Sequence, residues 1–267
     1  MSVRVIVHAD DFGLHPALNG AIEFAHRCGL VTSASLMPLG PAFADALRST
    51  RDLPTLDLGL HFTLVGVPGL PPTLAAFLSA YARGCFPARV AEDHLRRQFA
   101  ALGGLPISHI DSHQHLHALP GLMRVVCRFA SKHGIPAVRL PIDGPAFAPV
   151  PAGRRVQAAA LAAVSRLSRR TISAYGLRTS DYFSGMAVSG HLTGPLLAAY
   201  LQNARPGLTE IVCHPGLDNR ALREAFDWGY DWQGETAALR SDSAWAAVRD
   251  RDIVLTGWRD TNQVSAK

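Results

Sequence analysis

The fold is decided first by residues 3–29, whose sequence is VRVIVHADDFGLHPALNGAIEFAHRCG. Val3–His8 is a short apolar run typical of a buried strand, and Pro16–Cys28 has apolar residues at helical spacing with proline at its start. Short apolar segments and helical segments then alternate along the rest of the chain. This alternation predicts a mostly parallel α/β fold.

Further strands are predicted at 31–37, 56–61, 107–111, 137–140, 180–183, 208–213 and 253–256. Helices are predicted at 42–47, 90–102, 119–133, 154–170 and 191–203, with one or two more in 235–249, while 66–72 and 141–151 are predicted to be loops. No Gly-x-Gly-x-x-Gly motif follows the first strand, so the usual dinucleotide-binding sign is absent. We therefore expect a distorted (β/α) TIM-like barrel of seven or eight strands, in a single domain over residues 1–267.

Composition excludes several classes of protein. The 267 residues are 48% hydrophobic and 18% charged, which excludes a disordered chain. No apolar run reaches the roughly 18 residues that a membrane span requires, and the first residues lack a signal-peptide layout, so a cytoplasmic location is expected. The four cysteines are scattered, as expected of small buried hydrophobic residues rather than a disulfide framework.

The net charge of +5 comes from a chain in which 24 of the 26 basic residues are arginine. They are spread along the sequence, and the densest stretch, 154–178, lacks the interleaved aromatic residues of a single-strand nucleic-acid binder. We therefore expect no nucleic-acid partner. The same arginines favour an anionic membrane surface weakly, so we also expect a peripheral membrane contact.

Polar side chains collect where four predicted strands end, and in a parallel α/β barrel these ends share the face on which active sites are assembled. The residues concerned are Asp10 and Asp11, His61, the segment Asp111 to His117 with histidines at 113, 115 and 117, and His214. Aspartate and two histidines from separate strands, with positions left open for water, suit a hydrolytic divalent metal ion. A second aspartate could then act as general base, and a further histidine as the acid for the leaving group.

The sequence is compatible with two backbone conformations at each of two places, the Asp10–Asp11 pair and the segment 113–117. Neighbouring strand residues face opposite ways, so Asp10 and Asp11 share a site only if the chain turns near Gly13; otherwise they are a helix cap and a solvated acid. The histidines at 113, 115 and 117 face one side if the strand continues, and diverge if the chain enters a loop.

These stretches resemble the YdjC-like family of carbohydrate deacetylases. The matching segments are 9–14, 31–33, 59–62, 109–117 and 210–216, with weaker matches at 139–141 and 180–185, and they occur in the family's order over nearly the whole chain. The resemblance implies a distorted barrel and hydrolysis of the acetyl group of an N-acetylated amino sugar. It also implies a divalent metal, commonly magnesium with zinc as the alternative, and homodimers are common in the family.

By motif position, the resemblance implies roles for nine residues. Asp11, His61 and His113 would hold the metal, Asp10 would be the base and His214 the acid. The residues His115, His117, Arg139 and Asp111 would support these groups or face the substrate.

The segment around Trp228–Trp232 is most similar to the hopanoid-biosynthesis-associated branch, which implies an N-acetylglucosaminyl hopanoid as substrate. One alternative is a deacetylase of chitooligosaccharides with the same chemistry. An amidohydrolase is disfavoured, because its His-x-His element would end the first strand. An alternative of another class is a carbohydrate-binding protein that has lost turnover.

Overall fold

A single parallel sheet forms the centre of the computed structural model, which describes residues 2–264. Its strands are β1 (Val3–Phe12), β2 (Ser33–Leu36), β3 (Asp57–Phe62), β4 (His109–Ser112), β5 (Ala137–Val138), β6 (Tyr182–Ser184), β7 (Gly207–Cys213) and β8 (Val254–Leu255). Seven of them lie in the order β5-β4-β3-β2-β1-β7-β6, and β8 pairs with the beginning of β1. All pairings are parallel, so the predicted α/β class is confirmed.

The helices that connect the strands are α1 (Pro16–Cys28), α2 (Phe43–Ser49), α3 (Leu74–Ala82), α4 (Ala88–Ala101), α5 (Pro120–Lys132), α6 (Ala152–Ala174), α7 (Gly194–Gln202), α8 (Asn219–Ala225), α9 (Trp232–Ala238) and α10 (Asp242–Asp250). α3 and α8, of nine and seven residues, were not predicted. No helix within residues 2–264 is both long enough and apolar enough to cross a membrane.

The predicted barrel was wrong in one respect, because the sheet curls without closing. Among residues 2–264, its two edges, β5 and β6, share no ladder, and two isolated bridges join this region, Ala137 to Arg178 and Asp143 to Phe183. The predicted strand at 137–140 has only two paired residues. Proline lacks the N–H that a ladder needs, and the four prolines within 141–151 explain why the pairing stops there.

The core lies between the sheet and the helices that cover it. Apart from β8 and the first residue of β6, the strands are buried along almost their whole length, and β1 is buried from Val5 onward. A strand that is buried on both faces needs a continuous apolar sequence, because burying a polar side chain without a partner is costly. The polar residues at the carboxyl end of β1 therefore indicate a site.

Gly185 follows β6 with a φ of 111°, a conformation that L side chains rarely adopt, and a Cβ there would lie 2.5 Å from the Val212 carbonyl oxygen. We expect Gly185→Ala to lower the free energy of unfolding by about 2–4 kcal/mol, measured by denaturant titration. Gly153→Ala is the matched control, because open space surrounds that helical position; it should be neutral or stabilising by up to about 1 kcal/mol. Equal stability of the two variants would contradict the assigned backbone strain.

Candidate metal centre and its surrounding site

Two adjacent carboxylates end β1, and an irregularity in the backbone turns both toward one cavity. The register between β1 and β2 shifts between Ala9 and Phe12. Asp11 has a φ of 66°, a left-handed conformation uncommon for residues other than glycine. Asp10 and Asp11 therefore both line the same cavity, which a regular strand would prevent.

Asp11, His61 and His113 form a compact group of metal-ligand type. The Asp11 Oδ1 atom lies 3.2 Å from His61 Nε2 and 2.9 Å from His113 Nδ1. All three side chains are buried, and their ligand atoms lie within 4.8 Å of one another. They come from the ends of β1, β3 and β4, about 100 residues apart at the extremes. One carboxylate and two imidazoles are a donor set that suits a divalent metal ion with open positions for water.

The orientation of His61 fits metal binding. Its Nδ1 lies 2.9 Å from Asp111 Oδ1 and 3.0 Å from Ser35 Oγ. When Nδ1 donates its proton to Asp111, the lone pair of Nε2 faces Asp11, and this is how a carboxylate orients a metal-ligating histidine. Burial alone would lower the pKa of His61, but Asp111, Asp11 and Asp10 together raise it to about 10, so the surroundings favour a cation here.

Arg139 lies beneath these residues and bridges three buried carboxylates. Its guanidinium holds both oxygens of Asp10, at 3.0 and 2.9 Å, and lies 2.9 Å from Asp111 and 2.8 Å from Glu210. Burial would raise the pKa of Asp10, but Arg139 and then His61 bring it below its ordinary value. Asp10 is therefore ionised at neutral pH and able to accept a proton.

His214 reaches the cavity from the end of β7. Its Nε2 lies 3.9 Å from Asp10 Oδ2, and its backbone N–H donates to the buried carboxylate of Glu235 at 2.5 Å. Its Nδ1 has no hydrogen-bond partner within residues 2–264. The ring meets Tyr230 edge-on, with centroids 5.4 Å apart. Thus the imidazole of His214 lies next to the carboxylate of Asp10.

The other two histidines diverge, because the chain leaves β4 in a turn with Gln114 and His115 at φ values of 54° and 55°. The open alternative of a loop is therefore the one observed. His115 lines the cavity and packs against Phe183. His117 is fully buried, with Nε2 donating to the Arg139 carbonyl at 2.9 Å and Nδ1 2.6 Å from Ser112 Oγ, so neither nitrogen can reach the cavity.

Two residues of the buried network were missed by sequence analysis. His8 Nε2 lies 3.3 Å from Asp111 and 3.5 Å from Asp10, and Glu210 contacts Arg139. The available signals were the alternation that puts His8 and Asp10 on the same face of a strand, and a glutamate inside the apolar run 208–213. A buried charge needs a partner, so Glu210 indicated that a cationic side chain lies next to it.

The cavity has a volume of about 340 Å³ and an aromatic wall. Trp228 and Tyr230, between α8 and α9, lie beside His113 and His214, with ring centroids 5.6 and 5.4 Å apart. Arg154, in the first turn of α6, completes the opening and donates to the Ser189 carbonyl at 2.6 Å. The rest of the lining is mostly polar or ionisable, and a cleft in which ionisable groups converge beside aromatic rings is a candidate small-molecule site.

Comparison with known proteins agrees with this arrangement of residues. A chitooligosaccharide deacetylase of Klebsiella pneumoniae (strain 342) is 32% identical over 96% of this chain and 98% of its own length. One from Enterobacter sp. (strain 638) is 31% identical over 97% and 100%. A carbohydrate deacetylase of Brevibacillus brevis is 38% identical over 52% of this chain and 60% of its own length.

Solved structures share the fold. A protein of Enterococcus faecalis V583, described as a putative cellobiose-phosphate cleavage protein, superposes with a TM-score of 0.75 at 24% identity, covering 97% of this chain and 98% of that one. An uncharacterised protein of Agrobacterium tumefaciens C58 gives a TM-score of 0.56 at 16% identity, covering 96% and 87%. The family model for YdjC-like proteins matches residues 4–250, and the chain therefore belongs to the YdjC-like family.

Proposed function

We propose that this protein is a metal-dependent hydrolase that removes the acetyl group from the nitrogen of an amino sugar. The observation that carries the proposal is the convergence of Asp11, His61 and His113 beside Asp10, a carboxylate held ionised by Arg139. Full-length relatives at 31–32% identity are named chitooligosaccharide deacetylases, which supports a carbohydrate amide as the substrate. The enzyme is thus a hydrolase acting on amide bonds.

The residues divide the chemistry between them. A divalent ion held by Asp11, His61 and His113 would polarise the acetyl oxygen and lower the pKa of water. Asp10 accepts the proton of the attacking water, and Arg139 fixes the orientation of its carboxylate. His214 donates a proton to the departing nitrogen, which releases acetate and a free amine. Trp228 and Tyr230 offer ring faces against which a sugar can pack.

Two acceptors are compatible with this chemistry. The similarity to the hopanoid-associated branch favours an N-acetylglucosaminyl hopanoid, whereas the names of the full-length relatives favour a chitooligosaccharide. The deciding experiment is acetate release by the metal-replete enzyme from diacetylchitobiose and from an N-acetylglucosaminyl lipid in detergent. Release from either one supports N-deacetylation and identifies the acceptor. Bound metal with no release from any N-acetylated sugar would instead support the carbohydrate-binding alternative.

Loss of a ligand should empty the proposed metal site. We expect His61→Ala to weaken divalent-ion affinity by more than about 100-fold, because losing only a partner that orients a ligand already costs about 10–100-fold. Elemental analysis and calorimetric titration of purified protein measure this. His133→Ala, at an exposed histidine after α5, is the matched control and should keep the metal. Full metal occupancy in His61→Ala would remove His61 from the ligand set.

A further inference from the structure

The positive charge of the chain is concentrated in one segment. Residues 144–180 contain six arginines and no aspartate or glutamate. The chain has 26 basic and 21 acidic residues in all, so the remainder holds 20 basic and 21 acidic residues and is almost neutral. The net charge of +5 therefore belongs to this segment, most of which is the helix α6.

α6 presents these charges on the outside of the molecule. The helix packs against α5, and its buried side chains are mostly small, Ala158, Ala162, Ser165 and Ser168 among them. Its exposed arginines are Arg155, Arg166, Arg169 and Arg170. Some exposed arginines of other helices pair with an acid of their own helix, as Arg48 does with Asp45 at 2.8 Å and Arg96 with Asp93 at 3.1 Å. Within residues 2–264, no arginine of α6 has such a partner, so the field of this face is uncompensated.

The same face carries the two most exposed large apolar residues among those described, Val156 at 69% and Leu167 at 70%. They are 11 residues apart, or about three helical turns, and so lie on one line along the helix. Ala160 and Ala163, also exposed, lie on this line between them. Arg155, Arg166 and Arg170 flank the line on one side at 100° per residue. An apolar stripe bordered by arginine is the pattern of a helix that lies at a membrane interface.

We propose that this exposed face of α6 binds the surface of a membrane that contains anionic lipids. Anionic headgroups complement four unpaired arginines, each worth about a few-fold in affinity near such a surface, while the apolar stripe enters the headgroup region. A second copy of the chain is a poorer partner, because a two-fold contact of α6 with α6 would oppose like charges. A nucleic acid would leave the central apolar stripe without a partner.

α6 begins beside the opening of the cavity, so a membrane bound to this helix would lie close to the candidate active site. Arg154 and Gln157, in its first two turns, line the opening of the cavity that holds Asp10 and His214. A membrane on the exposed face would therefore lie beside that opening, where a lipid-anchored sugar could enter. The membrane contact itself does not depend on the proposed deacetylation, and either can fail without the other.

The test is cosedimentation of the full chain with vesicles of phosphatidylglycerol and phosphatidylcholine, and with phosphatidylcholine alone. We expect binding only to the anionic vesicles, and its loss at about 0.5 M salt, because salt screens surface charge. Arg166→Glu/Arg170→Glu should reduce binding by about tenfold or more. Val156→Ser/Leu167→Ser should reduce it several-fold without a change of charge, as expected if the stripe enters the headgroups.

The matched control is Arg96→Glu/Arg97→Glu, two exposed arginines on α4 whose reversal changes the net charge equally. It should bind vesicles like the unmodified protein. Absence of binding to anionic vesicles, or equal loss in both charge-reversal variants, would overturn the proposal. It would also be overturned if the α6 variants changed only the oligomeric state in analytical ultracentrifugation, since a second copy would then cover the helix. None of these residues belongs to the metal site, so acetate release from a soluble substrate should stay unchanged.

Discussion

Replacing Asp10 with asparagine is expected to lower kcat by about 10²–10⁴-fold while the protein keeps its metal. The substitution preserves the shape of the side chain and one oxygen for Arg139 but removes the group that accepts a proton. The ion is expected to stay bound, because the group formed by Asp11, His61 and His113 does not include Asp10. The measurements are steady-state acetate release and metal content of the same preparation.

The control for this variant is Asp93→Asn, at a surface aspartate of α4 that should leave kcat unchanged. Substantial turnover by Asp10→Asn with metal bound would remove Asp10 from the role of base. Loss of metal together with turnover would instead assign Asp10 to the ligand set.

Arg139→Met is expected to cost about 3–5 kcal/mol of unfolding free energy, the largest stability effect in this site. The variant leaves the carboxylates of Asp10, Asp111 and Glu210 buried without their shared guanidinium. Burial already raises the pKa of Glu210 with Arg139 present, so an uncompensated charge there is unfavourable. Denaturant titration of the metal-free protein measures the loss.

Two comparisons make the Arg139 prediction specific. Arg124→Met, at an exposed position on α5, should change stability by no more than about 0.5 kcal/mol. Adding Glu210→Gln to Arg139→Met should recover part of the loss, because one of the unpaired charges is removed. A small loss in Arg139→Met, or no recovery in the double variant, would contradict the view that Arg139 neutralises this cluster.

Local sequence signals predicted much of the fold. The bounds of α1 match the prediction at both ends, because a proline in the first turn and apolar residues at helical spacing mark the helix. The strands were found because burial on both faces requires continuous apolar sequence. The failure of the barrel to close was not predicted, since it depends on how two short edge strands meet in space.

Sequence analysis identified most residues of the site, but it did not predict the geometry in which they meet. The convergence of strand ends brought Asp11, His61 and His113 together, as parallel topology requires. A turn near Gly13 was one of the two alternatives, but the sequence did not place it at Asp11, which has a φ of 66° where the register between β1 and β2 shifts. The contacts of Arg139 join residues up to 129 positions apart, so no local pattern reports them.

The central claim is that one divalent ion binds Asp11, His61 and His113 with Asp10 beside it and not bound to it. Anomalous diffraction from crystals grown with Mn²⁺ tests this most directly. We predict a single strong peak in contact with the Asp11 carboxylate, His61 Nε2 and His113 Nδ1. Two neighbouring groups of metal-ligand type are His8 with His109 and Asp111, and Asp10 with His61 and Asp111. A peak at either of them, or no peak at any of the three groups, would contradict the claim.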